Sequence, residues 1–132
     1  MTARGLLDTS IFVAQEATRL IDTDRLPDEA YVCVVTAAEL QAGVLAAADT
    51  AVRARRMATL ERLGALQLLA IDSDAAAQWA QLRVQLRDSG RRMPVNDSWI
   101  AAVAVAHQLP LITQDEDFDV LGELGLLEVV RV

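Results

Sequence analysis

The sequence predicts an α/β domain in which a mostly parallel five-stranded sheet lies between two layers of helices. Two observations carry that expectation. Short runs of branched and aromatic apolar residues alternate with longer segments of helical spacing along all 132 residues. One of those helical segments, Trp99 to Ala106, has no polar face, so it must be covered on all sides, as a helix packed against a sheet is.

Taken in order, Gly5-Leu6-Leu7 forms a short strand that runs into Asp8-Thr9-Ser10, after which Ile11, Phe12 and Val13 begin a helix. A polar stretch through Asp22, Asp24, Pro27 and Asp28 precedes a second, buried strand over Ala30 to Val35. Thr36-Ala37-Ala38-Glu39 has the spacing of a capping box and is expected to start a helix that ends near Ala47. Asp49 caps the next helix, which Gly64 ends. Leu66 to Ile71 is a third strand. Asp72 or Ser73 then caps a long helix in which Ala75, Trp79, Leu82 and Leu86 recur at helical spacing up to Gly90. Arg91 to Val95 reads as a loop and Asn96 to His107 as the buried helix. Pro110 to Thr113 is a fourth strand, Asp117 to Leu124 a short helix, and Leu127 to Val130 a fifth strand.

A chain of this length, 53% hydrophobic and without linkers or low-complexity stretches, is expected to form one domain over 1–132, with disorder confined to a few N-terminal residues. No apolar run reaches the roughly 18 to 20 residues of a membrane span, and Asp8 interrupts the N-terminus before a signal peptide could form, so a cytoplasmic location is expected. One cysteine and one histidine cannot build a zinc site, a disulfide framework or the usual Cys-His pair. Cys33 lies in an apolar run and suits a core position, and His107 suits the negative end of a helix.

The formal charge of −7 argues against a protein that coats nucleic acid through its whole surface. All 12 basic residues are arginine, and two groups stand out: Arg53, Arg55, Arg56 and Arg62, then Arg83, Arg87, Arg91 and Arg92. Guanidinium forks match phosphate and carboxylate geometry, although a charge run on a helix is usually a solvated face.

In open parallel sheets ligands bind beyond the carboxyl ends of the strands. Asp8 follows the first strand, Glu39 lies four residues past the second and Asp115 two past the fourth, so all three belong to that edge. Asp97 opens the buried helix, and it joins them if that helix descends from the upper edge toward the fourth strand. Asp8 and Asp97 sit in apolar sequence, where an anion is costly unless it is paired or bound to metal. No lysine is present to pair with them, though Arg91 or Arg92 could reach Asp97. Glu39 is explained by the capping box alone. Several carboxylates at one edge repel one another unless a hard cation lies between them, and ligands that offer only oxygen select Mg²⁺, or Mn²⁺, over zinc. Such an ion suits phosphodiester hydrolysis.

Four segments, Leu6-Leu7-Asp8-Thr9-Ser10, Thr36-Ala37-Ala38-Glu39-Leu40, Asn96-Asp97-Ser98-Trp99-Ile100-Ala101-Ala102 and Leu111-Ile112-Thr113-Gln114-Asp115-Glu116-Asp117-Phe118, together resemble the acidic motifs of PIN-domain nucleases. The ordered set spans the chain and is similar to that of the VapC toxins of bacterial type II toxin-antitoxin pairs. The resemblance implies that Asp8, Glu39, Asp97 and Asp115 form the catalytic quartet, with Asp117 an additional metal ligand or supporting acid beside Asp8, Asp97 and Asp115. It implies that Thr9 or Ser10, and Thr113, orient carboxylates through their hydroxyls. It further implies a three-layer α/β/α PIN-like fold, a homodimer, a structured RNA substrate such as tRNA or rRNA, and a cognate VapB antitoxin lying across the acidic groove. Gln114 stands where a basic residue is common in the family, which weakens any phosphate contact there.

Four other readings compete. A response-regulator receiver needs a lysine that this chain lacks, and a haloacid-dehalogenase-type phosphatase needs an acid where Ser10 stands. A PIN-like binding or assembly module without catalysis, or a housekeeping nuclease outside any toxin-antitoxin pair, fits the same residues. Trp79 and Trp99 suit base stacking, or core and dimer packing at helical spacing.

Overall fold

A computed structural model describes residues 3–132. Met1 and Thr2, where N-terminal disorder is expected, lie outside the described residues. The sheet has five strands: β1 (Arg4–Leu7), β2 (Glu29–Cys33), β3 (Gln67–Leu69), β4 (Leu111–Thr113) and β5 (Val129–Arg131). All neighbouring pairs are parallel, in the order β3-β2-β1-β4-β5. Six α-helices accompany them: α1 (Thr9–Glu16), α2 (Val34–Ala46), α3 (Thr50–Glu61), α4 (Ser73–Asp88), α5 (Val95–Ala106) and α6 (Asp119–Glu123).

Strand periodicity divides the core into two layers. Leu6 and Leu111, paired in register, face α4, α5 and α6, and pack with Leu82, Leu86, Ile100 and Phe118. Their neighbours Leu7 and Ile112, also paired, point to the other face, where they meet Ile11 and Phe12 of α1, with Val32, Val130 and Leu63. Ile100 to Ala104 are wholly buried, as a helix without a polar face requires. No helix among the described residues is long and apolar enough to cross a membrane.

Element order agrees with the sequence reading, and the boundaries shift at informative places. The second strand stops at Cys33 rather than Val35, and α2 starts at Val34. Val34 and Val35 look like strand residues but pack from the helix's first turn onto the α4–α5 layer, so tertiary burial overrides their β propensity. The helix is capped by Cys33, whose Sγ accepts from Val35 N at 3.4 Å. Thr36 therefore lies inside α2 and is buried, and the capping box expected from Thr36 and Glu39 does not form. The buried helix starts at Val95, one residue before the expected Asn96, and β3 keeps only the three residues that pair with β2. Gly90, at φ 66°, ends α4 where the sequence places its stop.

Candidate metal centre

Strand order reverses between β1 and β4. The chain leaves β1 toward β2 on one side, whereas β5 continues from β4 on the other, which opens a crevice beyond their carboxyl ends. Asp8 and Asp115 are the residues that β1 and β4 deliver there. Asp8 is 2% exposed and caps α1, accepting from Ser10 N at 2.8 Å. Ser10 Oγ also donates to Asp8 Oδ1 at 2.5 Å, and Thr113 Oγ1 donates to Asp8 Oδ2 at 2.7 Å. Each hydroxyl accepts a backbone N–H in turn, from Gln114 at 2.9 Å and from Asp115 at 2.8 Å. Burial pushes the Asp8 carboxyl up, the hydrogen bonds from Ser10 and Thr113 oppose that, and the Asp115 charge adds to it.

Asp97 stands in the first turn of α5. This helix hands the chain to the amino end of β4 through Gln108–Pro110, so its own first turn lies at the opposite, upper edge, beside Asp8 and Asp115. One carboxylate oxygen each from Asp97, Asp115 and Asp117 lies within 4.8 Å of the others. Three carboxylate oxygens gathered this closely are the donor type that a hard divalent cation takes. Asp115 uses Oδ1 to accept from Asp117 N at 2.9 Å, capping the 3-10 turn Glu116–Phe118, which brings Asp117 back toward Asp97.

Asp97 is pushed up to about 7, first by burial and then by the charges of Asp115, Asp8, Glu39 and Asp117. All five acids thus act on one volume. The ion pairs of the described residues join Arg87 to Asp88, Arg91 to Glu123 and Arg131 to Asp119, and none involves the five. The pairing of Arg91 or Arg92 with Asp97 that the sequence allows is therefore not made; Arg91 reaches Glu123 at 3.0 Å instead. An oxygen-only set, partly buried and without a cation of the chain's own, fits a hard divalent metal.

Glu39 gains a role that the sequence obscured. With Thr36 inside α2, capping no longer accounts for Glu39. Its Oε1 accepts from Thr9 Oγ1 at 2.7 Å, and Thr9 Oγ1 lies 3.0 Å from Thr36 Oγ1. Since Thr9 has one hydroxyl proton and gives it to Glu39, Thr36 donates to Thr9. The relay joins residues 27 and 30 positions apart, a distance over which no local pattern signals contact.

Other sequence candidates have side-chain partners of their own. Gln114 donates through Nε2 to Leu20 O at 2.7 Å and to Val132 O at 3.1 Å, bracing two loops. Arg53 and Arg56 donate to Ala47 O and Gly43 O, at 2.6 and 2.7 Å, and so satisfy the last carbonyls of α2. Trp79 and Trp99 stack face to face, 4.4 Å between centroids, and Trp79 Nε1 donates to Ser98 Oγ at 2.9 Å. They are half-buried and clamp α4 to α5.

The PIN domain family model matches residues 5–124. The chain is 52% identical to ribonuclease VapC5 of Mycobacterium tuberculosis over 130 residues, covering 98% of this chain and 96% of the relative. It is 41% identical to ribonuclease VapC4 of the same organism, covering 96% and 97% of the two chains. Its structure is similar to that of a member of the VapBC family of toxin-antitoxin systems, VapBC-5 from M. tuberculosis, with a TM-score of 0.91, 51% identity and coverage of 98% and 99%.

Proposed function

The chain belongs to the PIN-domain family, and from that premise we propose that it is a Mg²⁺-dependent endoribonuclease, the toxin of a VapBC-type pair. The observation that carries the reading is the gathering of Asp8, Glu39, Asp97, Asp115 and Asp117 at one edge, with no ion pair to any of them among the described residues. Asp97, Asp115 and Asp117 would hold the ion, with Asp8 beside them on its two hydroxyl braces. A divalent ion held there would supply Lewis-acid polarisation of a phosphoryl oxygen and a more acidic water. Glu39, fixed by Thr9, would orient the attacking water and accept its proton, while Asp8 alone of the five acids is shut away from solvent. Mn²⁺ fits the same oxygen donors.

The substrate is a structured RNA such as a tRNA or an rRNA loop. Its cognate antitoxin is of the VapB type, as the relatives' toxin-antitoxin assemblies suggest, and supplies a basic group to the acidic crevice. The protein works as a homodimer in the cytoplasm.

The test incubates purified protein with RNA and Mg²⁺, alongside Asp8→Asn and Asp97→Asn, with Asp119→Asn as a control whose partner is Arg131. The first two variants lose cleavage and the control retains it. Equal cleavage by all four proteins would sink the assignment. Expression in cells arrests growth, and co-expression of a small protein encoded beside it restores growth; no arrest, or no rescue, removes the toxin-antitoxin part of the reading.

A further inference from the structure

The second arginine group forms no ion pair with the five acids. Arg83 and Arg87 lie on α4 and Arg91 and Arg92 beyond its end, and all four line one cavity of about 590 Å³, floored by Leu86 and Met93. Acids are few in it: Arg87 leans on its exposed neighbour Asp88 at 3.3 Å, and Arg91 shares Glu123. Arg92 makes no ion pair or side-chain hydrogen bond among the described residues, and Arg83 rests over the Trp79 ring at 5.2 Å. On a chain of net charge −7 this is a local concentration of cations. It is also contiguous with the acids, because Arg91 and Arg92 line a second groove of about 350 Å³ that reaches Glu116 and Asp117.

We propose that this cavity is the phosphate-holding track of the substrate, seating backbone phosphates of the RNA strand on one side of the bond to be cut. The polyanion's identity rests on the ribonuclease reading above; the cavity's preference for phosphodiesters rests on its own arginines. An acidic metal site repels nucleic acid until it is loaded, so a strand needs a cationic hold next to it, and guanidinium forks with unused donors supply one. The Leu86 and Met93 floor leaves the sugar-phosphate chain an apolar wall, and Arg83 on Trp79 is pre-organised by its cation–π contact.

The test measures binding of a labelled single-stranded RNA with 2′-O-methyl riboses in chelator, so that neither metal nor cleavage enters. Arg83→Gln/Arg92→Gln is compared with Arg55→Gln/Arg62→Gln, which removes equal charge from the first arginine group, where both side chains are exposed and make no hydrogen bond among the described residues. The cavity variant is expected to weaken binding at least about fivefold and to lower the salt slope by about 1.4, for two phosphate contacts at roughly 0.7 each. The control pair is expected to change affinity less than twofold. Equal losses in the two variants, or none in the cavity variant, overturn the proposal and leave the cavity to a non-nucleic-acid ligand. Arg92→Glu, at an exposed position that makes no ion pair or side-chain hydrogen bond among the described residues, repeats the test if the double variant folds poorly. Because binding is read without metal, a protein that binds RNA through these arginines yet fails to cut it refutes the nuclease reading alone.

Discussion

Thr113 Oγ1 donates to Asp8 Oδ2 at 2.7 Å, joining the end of β4 to the end of β1 across the crevice where strand order reverses. The same oxygen accepts from Asp115 N, so one hydroxyl sets the position of two of the five acids. Ser10 mirrors it, donating to Asp8 Oδ1 and accepting from Gln114 N. Two neutral side chains, rather than a counter-charge, hold the central carboxylate, which leaves the acids' net charge available to a cation.

Replacing Thr113 by Val keeps the shape and removes the hydroxyl. Asp8 Oδ2 loses its donor and Asp115 N its acceptor, both in a buried setting, at a cost of about 1 to 3 kcal/mol. Loss of a supporting hydrogen bond to a metal-holding carboxylate is expected to lower metal affinity or cleavage on the order of 10- to 100-fold. Thr113→Ser restores both. Denaturant melts and metal titrations check the pair, and a Val variant with unaltered metal affinity would contradict the role given to Thr113.

Much of this site is legible in the sequence. Asp8 and Asp115 could be placed because they follow strands directly, and the strand pattern fixes which edge that is. Asp97 needed the direction of the buried helix, which follows from its hand-over to the next strand. Glu39 was masked, since Val34-Val35-Thr36 extends the β pattern of the second strand and makes Thr36 look like a cap. The fold instead caps α2 three residues earlier, at Cys33, where the packing of two partly buried valines outweighs their strand preference. The Thr36-Thr9-Glu39 relay was invisible for the same reason. The arginine groups illustrate the opposite limit: equal in composition, one caps α2 and the other lines a cavity, a difference set wholly by tertiary placement.

The first arginine group has a structural duty, with a separable consequence. Arg53 and Arg56 satisfy carbonyls at the end of α2, so Arg53→Met/Arg56→Met is expected to destabilise the fold by roughly 1 to 2 kcal/mol, reduced from the full value of charged hydrogen bonds because Arg53 is exposed. RNA affinity of the folded fraction should hold. Melting curves read beside RNA titrations decide it, and a large affinity loss at unchanged stability would reverse the assignment.

Gly5 sits in β1 with Ile112 of β4 pressed against it. A Cβ there would lie 2.8 Å from Ile112 Cγ1 and 3.3 Å from Pro27 Cγ. Gly5→Ala is therefore expected to overpack the sheet by about 1 to 3 kcal/mol, despite the usual benefit of replacing glycine in a strand. Ile112→Val keeps Cγ1 but removes Cδ1, which lies 3.0 Å away, and lets the remaining carbon shift. The double variant should recover part of the loss, a coupling that a double-mutant cycle reads directly. Additive losses would place the strain elsewhere.

Asp97 gives the metal-free protein an unusual pH dependence. Its carboxyl stands at about 7 in the fold, raised by burial and by the neighbouring acids, against roughly 3.9 in an unfolded chain. Between those values the folded state keeps a proton that the unfolded state has released, so stability falls as pH rises through the window and levels off above it. Asp97→Asn removes this slope, and in chelator near pH 8 it should melt several degrees above the parent protein. A divalent ion acts in the other sense: it needs the deprotonated carboxylate, so its apparent affinity climbs about tenfold per pH unit below 7 and flattens beyond. Thermal melts of both proteins at about pH 5.5 and 8, with chelator and with Mg²⁺, separate the terms. If parent and Asp97→Asn show the same pH slope in chelator, the acids do not load Asp97 with a proton, and the electrostatic case for a cation at this crevice loses its main support.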